Sequence, residues 1–154
     1  MRVFLFVLAL LLNTWVGISQ SADEKKLEED LFALPDVSFT KISAANELPI
    51  KYMLRIKQPL DHKDRSKGEF YQRVILTHQG YQQPTLMQTQ GYELYKGKNE
   101  LEAALKANHL NIEHRYFGES VPDSIQWQYL TLEQVTADLH KINQLFKPMY
   151  KNKW

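Results

Sequence analysis

The order of apolar patterns along the chain predicts an α/β domain. Over residues 37–89, short alternating or fully apolar stretches are separated by turn-forming residues, which is typical of β-strands. From residue 99 onward, stretches with apolar residues at three- and four-residue steps alternate with a short apolar run, which indicates helices and strands in turn. Strands that alternate with helices favour a largely parallel sheet with helices on its faces, and antiparallel strands at its start are a common variant.

The N-terminus has the pattern of a secretory signal peptide. The basic start Met1-Arg2 is followed by an apolar run over residues 3–12 and by small and polar residues as far as Ser21. An apolar run of this length is shorter than the roughly 20 residues that a membrane-spanning helix needs, so an uncleaved anchor is the less favoured alternative. We divide the chain into a signal peptide over residues 1–21 and a domain over residues 22–154, and expect a secreted, periplasmic or cell-envelope protein.

Charge and cysteine content exclude several classes of protein. The 19 basic and 18 acidic residues nearly balance, which gives no reason to expect nucleic acid as a partner. The absence of cysteine excludes disulfides and a lipid-modified cysteine. A secreted domain without disulfides depends on an ordinary hydrophobic core, which favours a bacterial envelope or extracellular protein over a small disulfide-rich module.

The first half of the chain contains the predicted strands. Residues 23–34 read as a short helix or arm that ends before Pro35, and the alternating residues 37–42 and 50–57 read as strands. Residues 61–68 form a polar turn region. The next strand is predicted over residues 70–77, where three consecutive apolar positions indicate a strand covered on both faces. Residues 85–89 form a short strand that leads into Gln90-Gly91-Tyr92.

Two helices are predicted in the second half. Asn99 and Glu102 form a capping-box variant that begins the first helix, and its apolar residues are Leu101, Ala104 and Leu105. Asn108-His109 should break this helix before a short strand over residues 110–112. Thr131 and Gln134 form a second capping box, and residues 131–146 are the clearest helix of the chain. Its apolar residues recur at three- and four-residue steps: Leu132, Val135, Leu139, Ile142 and Phe146.

Five motifs in a fixed order carry a family resemblance. They are Gln58-Pro59-Leu60-Asp61-His62, Phe70-Tyr71-Gln72-Arg73-Val74, Glu113-His114-Arg115-Tyr116-Phe117-Gly118-Glu119-Ser120, Trp127-Gln128-Tyr129-Leu130-Thr131 and Asp138-Leu139-His140. Together they resemble the PS-10 family of secreted bacterial serine peptidases (peptidase family S37), whose activity is prolyl tripeptidyl aminopeptidase. The chain is more distantly similar to family S28, the Pro-X carboxypeptidase and dipeptidyl-peptidase II group, which shares the acid-His-Arg-aromatic-aromatic-Gly loop.

The resemblance implies an α/β-hydrolase that uses a Ser-Asp-His triad and cleaves peptides through an acyl-enzyme. In that fold the serine lies in a G-x-S-x-G turn between a strand and a helix, and the acid and the histidine follow it in the chain. By the resemblance all three residues are expected beyond Trp154, so the chain is expected to be an incomplete N-terminal half of the fold and inactive by itself. The alternative is a non-catalytic secreted fragment or a small binding module.

Neither a nucleophile nor a metal site is expected within the chain. Ser120 lies in Gly118-Glu119-Ser120-Val121-Pro122, where a proline replaces the last glycine of the G-x-S-x-G turn, so a turn or hydrogen-bonding role is favoured. His78 and His140 have no evident partner, and His140 is expected on the solvent side or in a structural hydrogen bond. Glu113-His114 and Asp61-His62 lack the spacing that brings two ligands to one face of a helix, so we expect no metal and no cofactor.

The candidate site residues lie in two loops. Gly91 and Tyr92 follow a short strand, where the fold takes one oxyanion-hole donor from the backbone, and an ordinary glycine turn is the alternative. Glu113 and Arg115 could pair with each other or with Glu119 as structural support, or could contact a peptide terminus. Tyr116 and Phe117 fit either the wall of a substrate pocket or the core under a cap domain.

Overall fold

The computed structural model describes residues 22–44, 47–92, 94, 97 and 99–154, which form a mixed α/β structure. The predicted signal peptide lies outside these residues. Residues 22–32 are helical, which confirms the short helix predicted there. They belong to a first unit, and a second unit covers Leu34–Trp154. Within the described part of the chain, no helix has the length and hydrophobicity to cross a membrane.

The second unit contains one five-stranded sheet. Its strands are β1 (Val37–Lys41), β2 (Ile50–Pro59), β3 (Glu69–His78), β4 (Thr85–Gln90) and β5 (Asn108–Glu113). Their spatial order is β1-β2-β3-β5-β4, and only β4 and β5 pair in parallel. The first strands are antiparallel, as in the variant that the sequence allowed. A largely parallel sheet is not found among the described strands, because strand periodicity does not carry strand direction. The parallel strands β4 and β5 are joined by a long crossover that contains a helix, and parallel neighbours require a connection of this kind.

The apolar core lies on one face of this sheet. Alternate residues of β2 (Tyr52, Leu54 and Ile56) are fully buried, because successive side chains of a strand point to opposite faces. The helix α2 (Leu132–Phe146) covers the same face: the Gln58 side chain donates to the Asp138 carbonyl at 3.3 Å. The polar turn between β2 and β3 is confirmed and contains a short 3-10 helix over Arg65–Lys67.

The helix α1 (Glu100–Leu105) has the predicted start but not the predicted buried face. The Asn99 side chain accepts hydrogen bonds from the backbone N–H groups of Leu101 and Glu102, which confirms the cap. Leu101 and Leu105 are 59% and 55% exposed, whereas Glu102 is buried, because its carboxylate pairs with His109 on the neighbouring strand. The predicted helix-breaking pair Asn108-His109 belongs to β5, which begins two residues earlier than expected.

The helix α2 is confirmed, with a different inner face. The Thr131 side chain accepts a hydrogen bond from the Gln134 N–H, and the helix ends at Phe146, before Pro148. Its buried residues recur at four-residue steps: Gln134, Asp138, Ile142 and Phe146. The predicted apolar face begins at Leu132, which is 82% exposed. Ile142 and Phe146 are buried as predicted, but two polar side chains, Gln134 and Asp138, complete the buried face.

Candidate functional site

The loop that follows β5 is a tight turn closed by its own backbone. The Phe117 N–H donates to the His114 carbonyl at 3.2 Å, and the Tyr116 N–H donates to the Ser120 carbonyl at 2.8 Å. Tyr116 and Gly118 both have left-handed backbone conformations, with φ of 67° and 53°. A Cβ atom at Gly118 would lie 2.6 Å from Glu113 Cδ, so only glycine fits against that carboxylate.

Glu113 is a fully buried carboxylate held by an arginine and a serine. Arg73 Nε and Nη2 donate to its two oxygens at 2.9 and 2.6 Å, and the Ser120 hydroxyl donates at 2.7 Å. Burial acts to raise the pKa of Glu113, but the hydrogen bonds from Arg73 and Ser120 outweigh it, so the pKa lies below its ordinary value. Ser120 is also buried and accepts from the Arg73 N–H at 2.9 Å, which confirms its hydrogen-bonding role.

Arg115 is fully buried, and all five of its N–H donors have acceptors. Nε and Nη2 donate to the Asp138 carboxylate at 2.6 and 2.7 Å. The remaining donors reach the backbone carbonyls of Pro59, Leu60 and Tyr129. The predicted pairing of Arg115 with Glu113 or Glu119 is wrong, because Glu113 and Glu119 both pair with Arg73. The sequence allowed two roles for Arg115, structural support or contact with a peptide terminus. These contacts are those of structural support.

A polar network extends from this arginine to the first motif. His62 Nε2 lies 2.7 Å from Asp138 Oδ1, and the His62 N–H donates to the Gln134 side chain at 2.9 Å. The Gln134 amide in turn donates to Asp61 at 2.8 Å. The Arg115 guanidinium also lies 5.3 Å from the centre of the Phe70 ring. Each of the five motifs therefore contributes at least one group to the surroundings of Arg115.

The sequence reading missed Asp138, Gln134 and Arg73 as members of this arrangement. A signal for the first two was present, because Gln134, Asp138, Ile142 and Phe146 recur at four-residue steps on one face of α2. Polar residues in a row with apolar ones indicate buried side chains with partners. No comparable signal exists for Arg73, whose acceptor Glu113 lies 40 residues away in the sequence.

The two aromatic residues of the loop have different surroundings. Tyr116 is buried in a cluster with Leu60 and Phe70, and burial raises its pKa. Phe117 is only partly buried, and its ring lies 5.7 Å from the Tyr92 ring and 5.2 Å from the His114 ring, both edge-to-face. Tyr116 thus belongs to the core, and Phe117 lies at an aromatic surface.

Gly91 and Tyr92 follow the carboxyl end of β4, next to the loop after β5. The His114 N–H donates to the Gln90 carbonyl at 2.9 Å and joins the two loops. Tyr92 is 87% exposed, and a Cβ atom at Gly91 would meet nothing within 4 Å. The structure therefore places both residues at an accessible surface, where a ligand can approach the Gly91 and Tyr92 backbone.

The remaining candidate histidines, His78 and His140, differ in their burial. His78 is buried, and its Nδ1 lies 2.8 Å from the Tyr150 hydroxyl, so the expectation that it has no partner is wrong. His140 is exposed on α2, as the sequence predicted. Within residues 22–154 as described, no three His, Asp or Glu side chains lie together in a group that could hold a metal ion.

Comparison with known proteins identifies the family. The family model for PS-10 peptidase S37 matches residues 22–154. A relative from Streptomyces mobaraensis, named prolyl tri/tetrapeptidyl aminopeptidase, is 28% identical over 142 residues. The match covers 88% of this chain and 29% of the relative, so the chain spans less than a third of that protein's length. The motifs that surround Arg115 and the match over residues 22–154 lead to one conclusion: the chain belongs to the PS-10 peptidase S37 family.

Proposed function

We propose that the chain is the N-terminal part of a secreted serine aminopeptidase with an α/β-hydrolase fold. The whole enzyme would cleave prolyl tri- or tetrapeptides from the N-terminus of peptides through an acyl-enzyme. Membership of the S37 family supports the peptidase activity, and the name of the Streptomyces mobaraensis relative supports prolyl peptides as the substrate class. This part of the enzyme would contribute the first strands of the sheet and one wall of the active site.

The meeting of the loops after β4 and β5 is the observation that carries the proposal. Ligands of α/β sheets bind at the carboxyl ends of parallel strands, and β4 and β5 are the parallel pair among the described strands. The hydrogen bond from His114 to Gln90 and the contact between Tyr92 and Phe117 hold the two loops together at that end. The accessible backbone of Gly91 and Tyr92 is therefore in a suitable place for an oxyanion-hole donor.

We place the nucleophile, the acid and the base of the triad outside these 154 residues. Ser120 is unsuitable as a nucleophile, because it is buried and its hydroxyl donates a hydrogen bond to the Glu113 carboxylate. The chain covers 29% of its aminopeptidase relative, which leaves most of such an enzyme to other residues. Thr85 is the first residue of β4, and its N–H donates to the Lys153 carbonyl at 2.8 Å, which supports a further strand on that side of the sheet.

Labelling of active serines tests this proposal. The full chain should neither hydrolyse chromogenic tripeptides ending in proline nor react with a fluorophosphonate. A longer product of the same gene that continues into a G-x-S-x-G segment should do both, with the label mapped to that serine by mass spectrometry. A label on any serine of residues 22–154 would contradict the proposal. A gene without such a segment downstream would support the non-catalytic alternative.

Secretion is a separate part of the proposal and has its own test. Expression of the gene with its native N-terminus should release a product whose first residue lies close to Ala22. A product retained in the cytoplasm with Met1 intact would contradict the signal peptide.

A further inference from the structure

The contacts of a second acid–imidazole pair, Glu102 and His109, lie away from the loop after β5. His109 Nδ1 lies 2.9 Å from Glu102 Oε2, and the two residues are only 4% and 8% exposed. His109 lies on the face of β5 opposite Leu110, because successive side chains of a strand alternate. Since Leu110 belongs to the apolar core, His109 lies on the sheet face that α2 does not cover.

The other nitrogen of this imidazole has no hydrogen-bond partner among the described residues. His109 Nε2 is buried and unpaired, and such a group usually has a partner in a protein or a bound ligand. His109 lines two neighbouring cavities of about 340 and 320 Å³, and Asn111 also lines both. The imidazole ring therefore forms part of the wall of both cavities.

The groups around the larger cavity indicate which chemistry the molecule would have. When the Glu102 carboxylate accepts a hydrogen bond from Nδ1–H, Nε2 of a neutral imidazole has a lone pair and accepts a hydrogen bond. The cavity is also lined by Glu47 and Lys51. An imidazole acceptor beside a carboxylate favours a cationic donor, and Lys51 supplies a positive charge for an anionic group on the same ligand.

We propose that this cavity binds small molecules with an ammonium group, and free amino acids in particular. The ammonium group would donate to His109 Nε2, across the imidazole from the Glu102 carboxylate. The carboxylate of the amino acid would face Lys51. A metal ion is a poorer match, because no three possible ligands come together in the described part of the chain.

Nuclear magnetic resonance of the histidine nitrogens in the full chain tests the proposal. At about pH 8 free histidine is neutral, and the probes are glycine, methylamine and acetate. Glycine and methylamine should shift the His109 Nε2 signal in a saturable way, with dissociation constants on the order of millimolar. Acetate should bind at least about tenfold more weakly, because it has no donor for the imidazole.

Three variants make the test specific. Glu102→Gln should weaken the binding of both amines at least about tenfold, since it removes the carboxylate that orients the imidazole. Lys51→Met should weaken the binding of glycine but not of methylamine. Because Lys51 lies outside the buried pair, this variant still tests the proposal if Glu102→Gln fails to fold. His140→Gln, at an exposed histidine of α2, should change nothing. The proposal is overturned if acetate binds as tightly as methylamine, if Zn²⁺ saturates Nε2 and displaces glycine, or if no probe shifts the signal.

Discussion

Arg115 and Asp138 form two parallel hydrogen bonds inside the protein, between a guanidinium that is 0% exposed and a carboxylate that is 1% exposed. Neither charge has access to water, so each depends on the other for its stabilisation. The same guanidinium reaches carbonyls of the segments before β3 and before α2. The motifs that identify the family therefore describe, in large part, the buried surroundings of one arginine.

Removal of the Asp138 carboxylate should strongly destabilise the fold. Asp138→Ala leaves the Arg115 charge buried and unpaired, and we expect a loss of about 3–5 kcal/mol in the free energy of unfolding. Urea unfolding of the full chain measures this loss. Glu133→Ala, which removes an exposed ion pair with Lys63, is the matched control and should leave the midpoint unchanged. A loss below about 1 kcal/mol for Asp138→Ala would contradict the central role of this pair.

Substitution of Gly118 should be costly, although the added group is a single methyl. Gly118→Ala requires a left-handed backbone at an alanine and places Cβ against the buried Glu113 carboxylate. We expect a loss of at least about 2 kcal/mol by thermal or urea unfolding. Gly91→Ala is the control, because a Cβ there meets nothing within 4 Å. Equal effects of the two substitutions would show that the conformation of Gly118 is not limiting.

The stability of the fold should depend on the ionisation of Glu113. Burial acts to raise its pKa, but hydrogen bonds from Arg73 and Ser120 lower it below the ordinary value of 4.5. A depressed pKa means that the ionised carboxylate stabilises the folded state above the unfolded pKa, and that this contribution is lost as the pH falls through the folded pKa.

The free energy of unfolding of the parent chain should therefore fall below about pH 5, and Glu113→Gln should show a flatter profile. The measurement is a series of urea titrations across this range. Glu133→Gln changes an exposed carboxylate and should keep the slope of the parent. Parallel profiles for the parent and Glu113→Gln would contradict the assignment of the slope to Glu113.

The backbone donors after β4 can be tested in an active longer protein that contains this chain. Proline has no N–H, so Gly91→Pro or Tyr92→Pro should lower kcat by about 10²–10³-fold at the position that supplies the oxyanion donor. Gly91→Ala and Tyr92→Ala keep the N–H and are the matched controls. KM and melting temperature separate a lost donor from a distorted loop. If the alanine variants lose as much activity as the proline variants, the N–H groups are not the donors.

Local patterns predicted most of the elements, because the forces that form them act over a few residues. The alternation in β2 follows from the two faces of a strand, and the caps at Asn99 and Thr131 involve backbone groups at most three residues away. The same patterns misplaced the inner face of α1 and predicted only the second half of the inner face of α2. Glu102 and Asp138 are buried because of partners on other elements, which periodicity does not register.

The sequence by itself determined the family, the presence of strands and helices, and the loop in which an acid, an arginine and two aromatic residues lie together. Only the tertiary structure decided what those residues contact. Glu113 lies two positions before Arg115, yet its partner is Arg73, and the partner of Arg115 is Asp138. The physical reason is that charge pairing across a sheet depends on strand order and register, and these follow from how the whole core packs. In the folded chain, Glu113 and Arg115 support the loop, and the accessible surface is formed by Phe117, Tyr92 and Gly91.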